Sequence, residues 1–271
     1  MLLCFMDDHQ FRQLLQLLGL SWPGYRKVRR GVKKRIHRHM QHLCCKNMSA
    51  YLCELGKSDE ARHECERLMA VSISRFFRDR KLWEVLDEEI LPRLIEKQGD
   101  RIEAWSAGCG CGEEVYSLKM VWDRVMTSIH HSPELEITAT DMNPIYLERA
   151  KAGVYGPSSL KEVPGKYLST YFRAEAGEKL FAINDLQKKG IAWQIHNLLL
   201  DSPGSHFNLI FLRNNLLTYY QEELEKPAFR KVIDCLSEGG FLIIGSHEKL
   251  PFESDDLRAT GSLSYVFQKY A

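Results

Sequence analysis

Long apolar runs are missing from this chain. Nothing approaches the roughly 20 residues that a membrane-crossing helix requires, so no helical span is expected. The start also lacks a basic segment followed by an apolar one, since six residues lead straight into Asp7 and Asp8. No secretory signal is therefore expected. The eight cysteines (4, 44, 45, 53, 65, 109, 111 and 235) lack the spacing of a disulfide scaffold. Free thiols in a reducing, cytoplasmic compartment are the expectation. Net charge is nearly absent as well, with 37 Lys and Arg facing 36 Asp and Glu. That balance argues against a globally polyanionic partner. No internal repeat or low-complexity tract occurs.

What is present is the composition of a folded protein, 44% hydrophobic and 27% charged over 271 residues. That is enough for one large domain with a small companion and a core of normal size.

The charge balance is a cancellation. From His9 to Cys53 there is no acid, whereas Arg12, Arg26, Lys27, Arg29, Arg30, Lys33, Lys34, Arg35, Arg38 and Lys46 all occur. Apolar positions Phe11, Leu14, Leu15 and Leu18, then Val28, Val32, Ile36, Met40 and Leu43, recur at helical spacing. Residues 1–71 read as a basic helical unit, broken near Pro23 and Gly24 and continued by helices at 49–55 and 59–69. Residues 72–100 read as a linker and a first helix. From 101 onward, candidate strands (102–105, 135–140, 207–212, 241–245) alternate with helices (114–126, 144–152, 222–237). Such alternation predicts an α/β domain over 101–271, with a mainly parallel sheet covered on both faces. Between 155 and 197 the rhythm breaks. Residues 179–183 and 191–196 read as short antiparallel strands of a small inserted β-subdomain.

A strand runs into Gly108-Cys-Gly110-Cys-Gly112 and then into a helix that opens on Glu113 and Glu114. Glycines permit a tight turn and close approach of backbone to a ligand. A pyrophosphate would want that helix start free of acids. Two carboxylates suit a ligand carrying ammonium or sulfonium charge. Asp141 ends the next strand, where an acid can accept both ribose hydroxyls. These features favour S-adenosylmethionine (SAM) over a nicotinamide dinucleotide. The same residues also suit a plain tight turn whose acids favour the helix dipole.

Taken together, several segments resemble the CheR-type chemotaxis-receptor glutamate methyltransferases. Ser72-Ile-Ser74-Arg-Phe-Phe-Arg78 is similar to the family's Asn-x-Thr-x-Phe-Phe-Arg, and Trp105 to Ser117 resembles its Trp-Ser-Ala block ending in Gly-Glu-Glu-Pro-Tyr-Ser. Ala139-Thr-Asp141, the segment Ala150 to Tyr155, Asn197-Leu198, Arg213-Asn214 and Gly245-Ser-His-Glu248 follow in the family's order. The resemblance implies a doubly wound, Rossmann-like SAM-methyltransferase sheet with a helical N-terminal domain and an inserted β-subdomain. It implies cofactor contacts from Ser72, Ser74, Arg78, Gly108, Glu114, Asp141, Met142, Asn197, Leu198, Arg213 and Asn214. Arg78 would also lie beside the transferred methyl. Ungapped, Thr218 stands at the family's tyrosine position. A one-residue shift brings Tyr219 there as the catalytic tyrosine.

Methyl transfer to a carboxylate needs no general base, because the acceptor is already ionised at neutral pH. Arg78 suits such an acceptor as a fixed fork, whereas an amine or alcohol would need a base such as His247 or Glu248. The resemblance makes an acidic protein, docked on the basic stretch from Arg26 to Arg38, the expected partner. Sparse aromatics there argue against nucleic acid. The compact stretch 174–179 argues against tethering to a receptor tail peptide. His37, His39, His42, Cys44 and Cys45 lack a closing ligand pair, so no metal is expected. Two other readings stand beside this one: a small-molecule methyltransferase of the same fold, and an inactive module that binds SAM or its product S-adenosylhomocysteine (SAH).

Overall fold

The computed structural model describes residues 6–270 apart from 72–73, 99, 130–132, 176–178, 201 and 205. Its N-terminal part is helical: α1 (Asp8–Leu17), the single turn α2 (Trp22–Tyr25), α3 (Arg29–His42), α4 (Met48–Leu55) and α5 (Asp59–Met69). Asp7 starts α1 with a reciprocal cap, accepting from the Gln10 amide at 2.7 Å while Gln10 accepts from its own at 3.1 Å. The apolar face of α1 (Phe11, Leu14, Leu15) shares one buried core with Val32 and Ile36 of α3 and with Tyr51, Leu55 and Cys65. His39 is buried here with Nδ1 2.8 Å from the Tyr51 hydroxyl.

The chain continues through α6 (Arg80–Val85), a wide turn at Leu86–Ile90 and α7 (Leu91–Gln98) into β1 (Arg101–Ala107). Then come α8 (Glu113–Met126), β2 (Glu134–Asp141), α9 (Pro144–Ala152), β3 (Val154–Tyr155), α10 (Gly165–Tyr171), β4 (Phe172–Ala174), β5 (Phe181–Ile183) and β6 (Ile191–Ile195). The last elements are β7 (Phe207–Leu212), α11 (Leu216–Tyr219), α12 (Glu222–Asp234), β8 (Leu236–Ile244), β9 (Leu257–Ala259) and β10 (Val266–Lys269). Seven strands form one sheet in the order β6-β2-β1-β7-β8-β10-β9. The pairs from β6 to β8 are parallel, and β10 runs antiparallel to β8 and β9. All six residues of β7 are buried, as expected of a central parallel strand covered on both faces. The order reverses at β1, between β2 and β7, which opens a crevice at the carboxyl ends of those strands. Among the described residues no helix is long and apolar enough to cross a membrane.

Two expectations are corrected. Segment 191–196 is not part of an antiparallel excursion, because β6 pairs parallel with β2 (Ile137 opposite Ile191) as an edge of the large sheet. Alternation along a five-residue strand carries no information on the direction of its partner. The antiparallel sheet β3-β5-β4 instead fills the long crossover between α9 and β6. Likewise α12 stops at Asp234, and β8 begins at Leu236 rather than 241. Gly239 (φ 74°) and Gly240 lie in an irregular stretch where the β7–β8 register shifts.

Candidate active site

The β1 strand ends on Ala107, and the backbone then turns through left-handed glycines at 108, 110 and 112 (φ 80°, 57° and 88°). A Cβ on Gly108 would lie 2.1 Å from Asn215 Nδ2, so only glycine fits there. The Gly108 and Cys109 amides both donate to the Thr140 carbonyl at 2.8 Å, laying the loop over the end of β2. The Gly110 amide donates to Asp141 Oδ2 at 2.9 Å, and the Asn143 amide to Oδ1 at 2.8 Å. Burial pushes the Asp141 carboxyl above its usual range, and these two amides pull it back. Each oxygen keeps a lone pair for further donors.

The two acids that open α8 part company. Glu114 faces the crevice, where Ser106 Oγ donates to it at 2.9 Å and Arg213 Nη1 at 2.8 Å. Glu113 turns away and is only 5% exposed. Ser159 Oγ donates to its Oε1 at 3.3 Å, and its Oε2 is buried without a partner. Of the pair expected to face a cationic ligand, Glu114 alone does so.

Arg213 leaves the end of β7 with its side chain 4% exposed, between Glu114 and Asp79, whose Oδ2 is 2.5 Å from Nη2. Its Nε is buried without a partner. Arg78 lies between two strained residues, Phe77 (φ 53°) and Asp79 (φ 61°). The turn is held by the Phe77 amide on Ser117 Oγ (3.0 Å), the Phe76 amide on the Ser159 carbonyl (3.1 Å) and the Trp83 indole on the Arg78 carbonyl (2.8 Å). Arg78 Nη2 donates to Asn214 Oδ1 at 3.3 Å.

Arg78, Glu114, Asp141, Arg213 and Asn214 border one cavity of about 860 Å³. Of the residues expected from the sequence, Ser74, Arg78, Gly108, Glu114, Asp141, Met142, Asn197, Leu198, Arg213, Asn214 and Tyr219 all line it. Ser72 lies outside the described residues, and so does part of the stretch 174–179. Thr218 and Tyr219 both border the cavity. The Thr218 hydroxyl donates to Glu248 at 2.5 Å, while the Tyr219 ring packs 5.0 Å from that of Tyr25. Burial raises the Tyr219 phenol, and the Arg78 charge opposes that rise.

Sequence reasoning missed the wall contributed by the helical part. Leu20, Pro23, Gly24 and Met69 line the cavity. The Ser21 amide donates to the Tyr219 carbonyl at 2.8 Å, and the Gln221 amide to that of Gly19 at 2.9 Å. No local signal encodes such a contact, because its halves lie about 200 residues apart in the sequence. The Arg213–Asp79 pair was missed for the same reason.

The basic stretch is divided in use. Arg29 and Lys33 are paired with Asp8, and Arg35 donates to the Leu68 and Ala70 carbonyls at 2.8 Å each. Arg26, Lys27, Arg30, Lys34 and Arg38 are exposed, and Lys27 also borders the cavity. Among the described residues no cluster of His, Cys, Asp or Glu could hold a metal ion.

The residues present fit a SAM molecule: an acid at the tip of β2, a glycine turn, a crevice-facing carboxylate, and a buried guanidinium with one unpartnered N–H. Comparison with known proteins agrees. Residues 72–266 match the family model described as CheR methyltransferase, SAM binding domain. A chemotaxis protein methyltransferase of Listeria monocytogenes is 32% identical over 233 residues, 86% of each chain. One from Borreliella burgdorferi is 29% identical over 229 residues, 82% of this chain and 78% of its own. Chemotaxis protein methyltransferase 1 of Pseudomonas aeruginosa is 32% identical over 188 residues, 67% and 68% of the two chains.

Proposed function

Because the chain belongs to the CheR methyltransferase family and is a SAM-dependent methyltransferase, we propose that it methylates a carboxylate, a glutamate side chain of an acidic protein segment. The observation that carries this reading is Arg78, presented to the cavity by a strained, pinned turn and steadied by Asn214. A guanidinium held in this way orients a carboxylate through paired hydrogen bonds.

Bound SAM supplies an electrophilic methyl group on a positively charged sulfur. Asp141 would accept the ribose hydroxyls, and Met142, Asn197 and Leu198, which line the same cavity, would flank the nucleoside. Glu114 would receive the methionyl ammonium and Arg213 the carboxylate, with Gly108 permitting close approach. Ser74 lines the same cavity, and by the family resemblance Ser72 would join it as a cofactor contact. Arg78 aligns the acceptor oxygen for in-line attack. No proton must be removed, because the acceptor is already ionised. The protein's work is positioning and the exclusion of water. Tyr219, beside Arg78, closes the wall behind the acceptor. The exposed stripe Arg26, Lys27, Arg30, Lys34 and Arg38 leads acidic protein to the cavity, and no tail-peptide tether is needed.

Incubation with labelled SAM and an acidic helical protein should give methyl groups released by mild alkali. Label stable to alkali would overturn the ester. Label in the small-molecule fraction would point to a small acceptor. SAM binding with no turnover would leave only an interaction module.

A further inference from the structure

Glu248 follows β8, where it touches three parts of the site at once. Its Oε2 accepts the amides of Asn214 (3.0 Å) and Gly245 (2.6 Å), and its Oε1 accepts the Thr218 hydroxyl (2.5 Å). It thereby joins the ends of the central strands β7 and β8 and the first turn after them. Asn214 needs such a clamp. Its φ is 55°, a left-handed conformation that side-chain-bearing residues adopt at a cost. The clamp also leaves no slack, since a Cβ on Gly245 would lie 2.6 Å from Glu248 Oε2 and 3.0 Å from Asn214 Oδ1. Asn214 in turn accepts from Arg78 at 3.3 Å.

We propose that Glu248 is a positioning residue for methyl transfer, aiming Arg78 at the acceptor by fixing the backbone of Asn214. This rests on the reading that Arg78 orients the acceptor carboxylate. Glu248 is a poor base in this arrangement. Three donors occupy its two oxygens, and a carboxylate acceptor has no proton to give. Thr218 belongs to the device: its hydroxyl locks the Glu248 rotamer from the side opposite the two amides.

The test compares Glu248→Ala, Glu248→Gln, Thr218→Val, Arg78→Ala and the Glu248→Ala/Arg78→Ala double variant. Each is assayed for kcat and KM with an acidic protein substrate, and for SAH affinity by calorimetry. Glu248→Ala should lower kcat about 30-fold, a loss of alignment, with SAH Kd within threefold of the parent. Glu248→Gln keeps an oxygen for the two amides and should recover most of that loss. Thr218→Val, nearly isosteric, should cost about threefold in kcat and fold normally, which keeps the proposal open to refutation if Glu248→Ala does not fold. In the Arg78→Ala background, Glu248→Ala should cost less than threefold more.

Losses that multiply in the double variant would overturn the Glu248 proposal and leave the Arg78 reading intact. So would a fall in SAH affinity that matches the fall in kcat, or unchanged kcat in Thr218→Val or in a folded Glu248→Ala. Full turnover by Arg78→Ala would overturn the Arg78 reading itself, and the Glu248 proposal with it.

Discussion

Arg213 and Glu114 meet at 2.8 Å across the crevice between β7 and the start of α8, 99 residues apart in sequence. The same guanidinium holds Asp79, the residue that follows Arg78. One buried cation thus connects the glycine turn, the central strand and the strained linker. Buried ion pairs are costly to break, because the surviving partner stays desolvated. Here Asp79 remains for Arg213 when Glu114 is changed, so the effect on folding should be small.

Glu114→Gln should therefore lower the melting temperature by only a few degrees while weakening SAH binding. Loss of one charge-assisted hydrogen bond to the ligand corresponds to about 1.5–3 kcal/mol, roughly 10- to 150-fold in Kd. Calorimetric titration measures it. An unchanged Kd would remove Glu114 from the ligand site.

Glu113 behaves differently. Burial, opposed by its own amide and by the Ser159 and Ser74 hydroxyls, raises its carboxyl above the ordinary value. An acid whose folded pKa is raised contributes stability at pH values below its unfolded pKa. That contribution is lost as pH rises through the folded pKa. At pH 8 the buried charge is thus a burden, aggravated by the unpartnered Oε2. Glu113→Gln should melt higher than the parent at pH 8, and the gap should narrow on going to pH 5. Thermal melts at both values decide it, and a gap that widens at low pH would reverse the sign of the argument.

Much of this was legible in the sequence, for physical reasons. The alternation of β1, α8, β2 and α9 reflects burial on both faces of the sheet, which leaves its mark on every residue. The glycine turn and Asp141 are local features, because backbone conformation and strand ends have local signatures. What could not be read were relations between distant segments. The alternation of Ile191 and Trp193 in β6 is the same whether the neighbouring strand is parallel or antiparallel. Glu113 and Glu114 are adjacent and identical in type. Only their different positions around α8 send one to Arg213 and the other to Ser159.

Gly24 tests the contact between the helical part and the site. A Cβ there would lie 2.0 Å from the Thr218 carbonyl oxygen and 3.2 Å from the Tyr219 ring. The obstacle is backbone and cannot rotate away. Gly24→Ala should push α2 off α11 and break the Ser21–Tyr219 hydrogen bond, at a cost of about 1–3 kcal/mol of stability. Hydrogen exchange should show faster exchange at Ser21 and Gln221, while the β1 and β7 amides stay protected. Unaltered exchange at Ser21 would mean that α2 does not rest on α11 in solution.

The exposed basic stripe gives a prediction that separates docking from chemistry. Arg30, Lys34 and Arg38 are four residues apart along one side of α3, whereas Arg29 and Lys33 share an ion pair with Asp8. Reversing charge at the first set should act on association with an acidic protein and leave the cavity untouched. Arg30→Glu/Lys34→Glu should raise KM for such a protein about tenfold at low salt, with kcat and SAH Kd unchanged. The difference should shrink toward 0.5 M salt, where the screening length falls below about 5 Å. Arg29→Glu/Lys33→Glu, the same change of charge, should have a weaker effect on KM, because both side chains are engaged with Asp8. Steady-state kinetics over a salt series measures both. Equal effects from the two sites would mean that net charge, rather than the stripe, recruits the substrate.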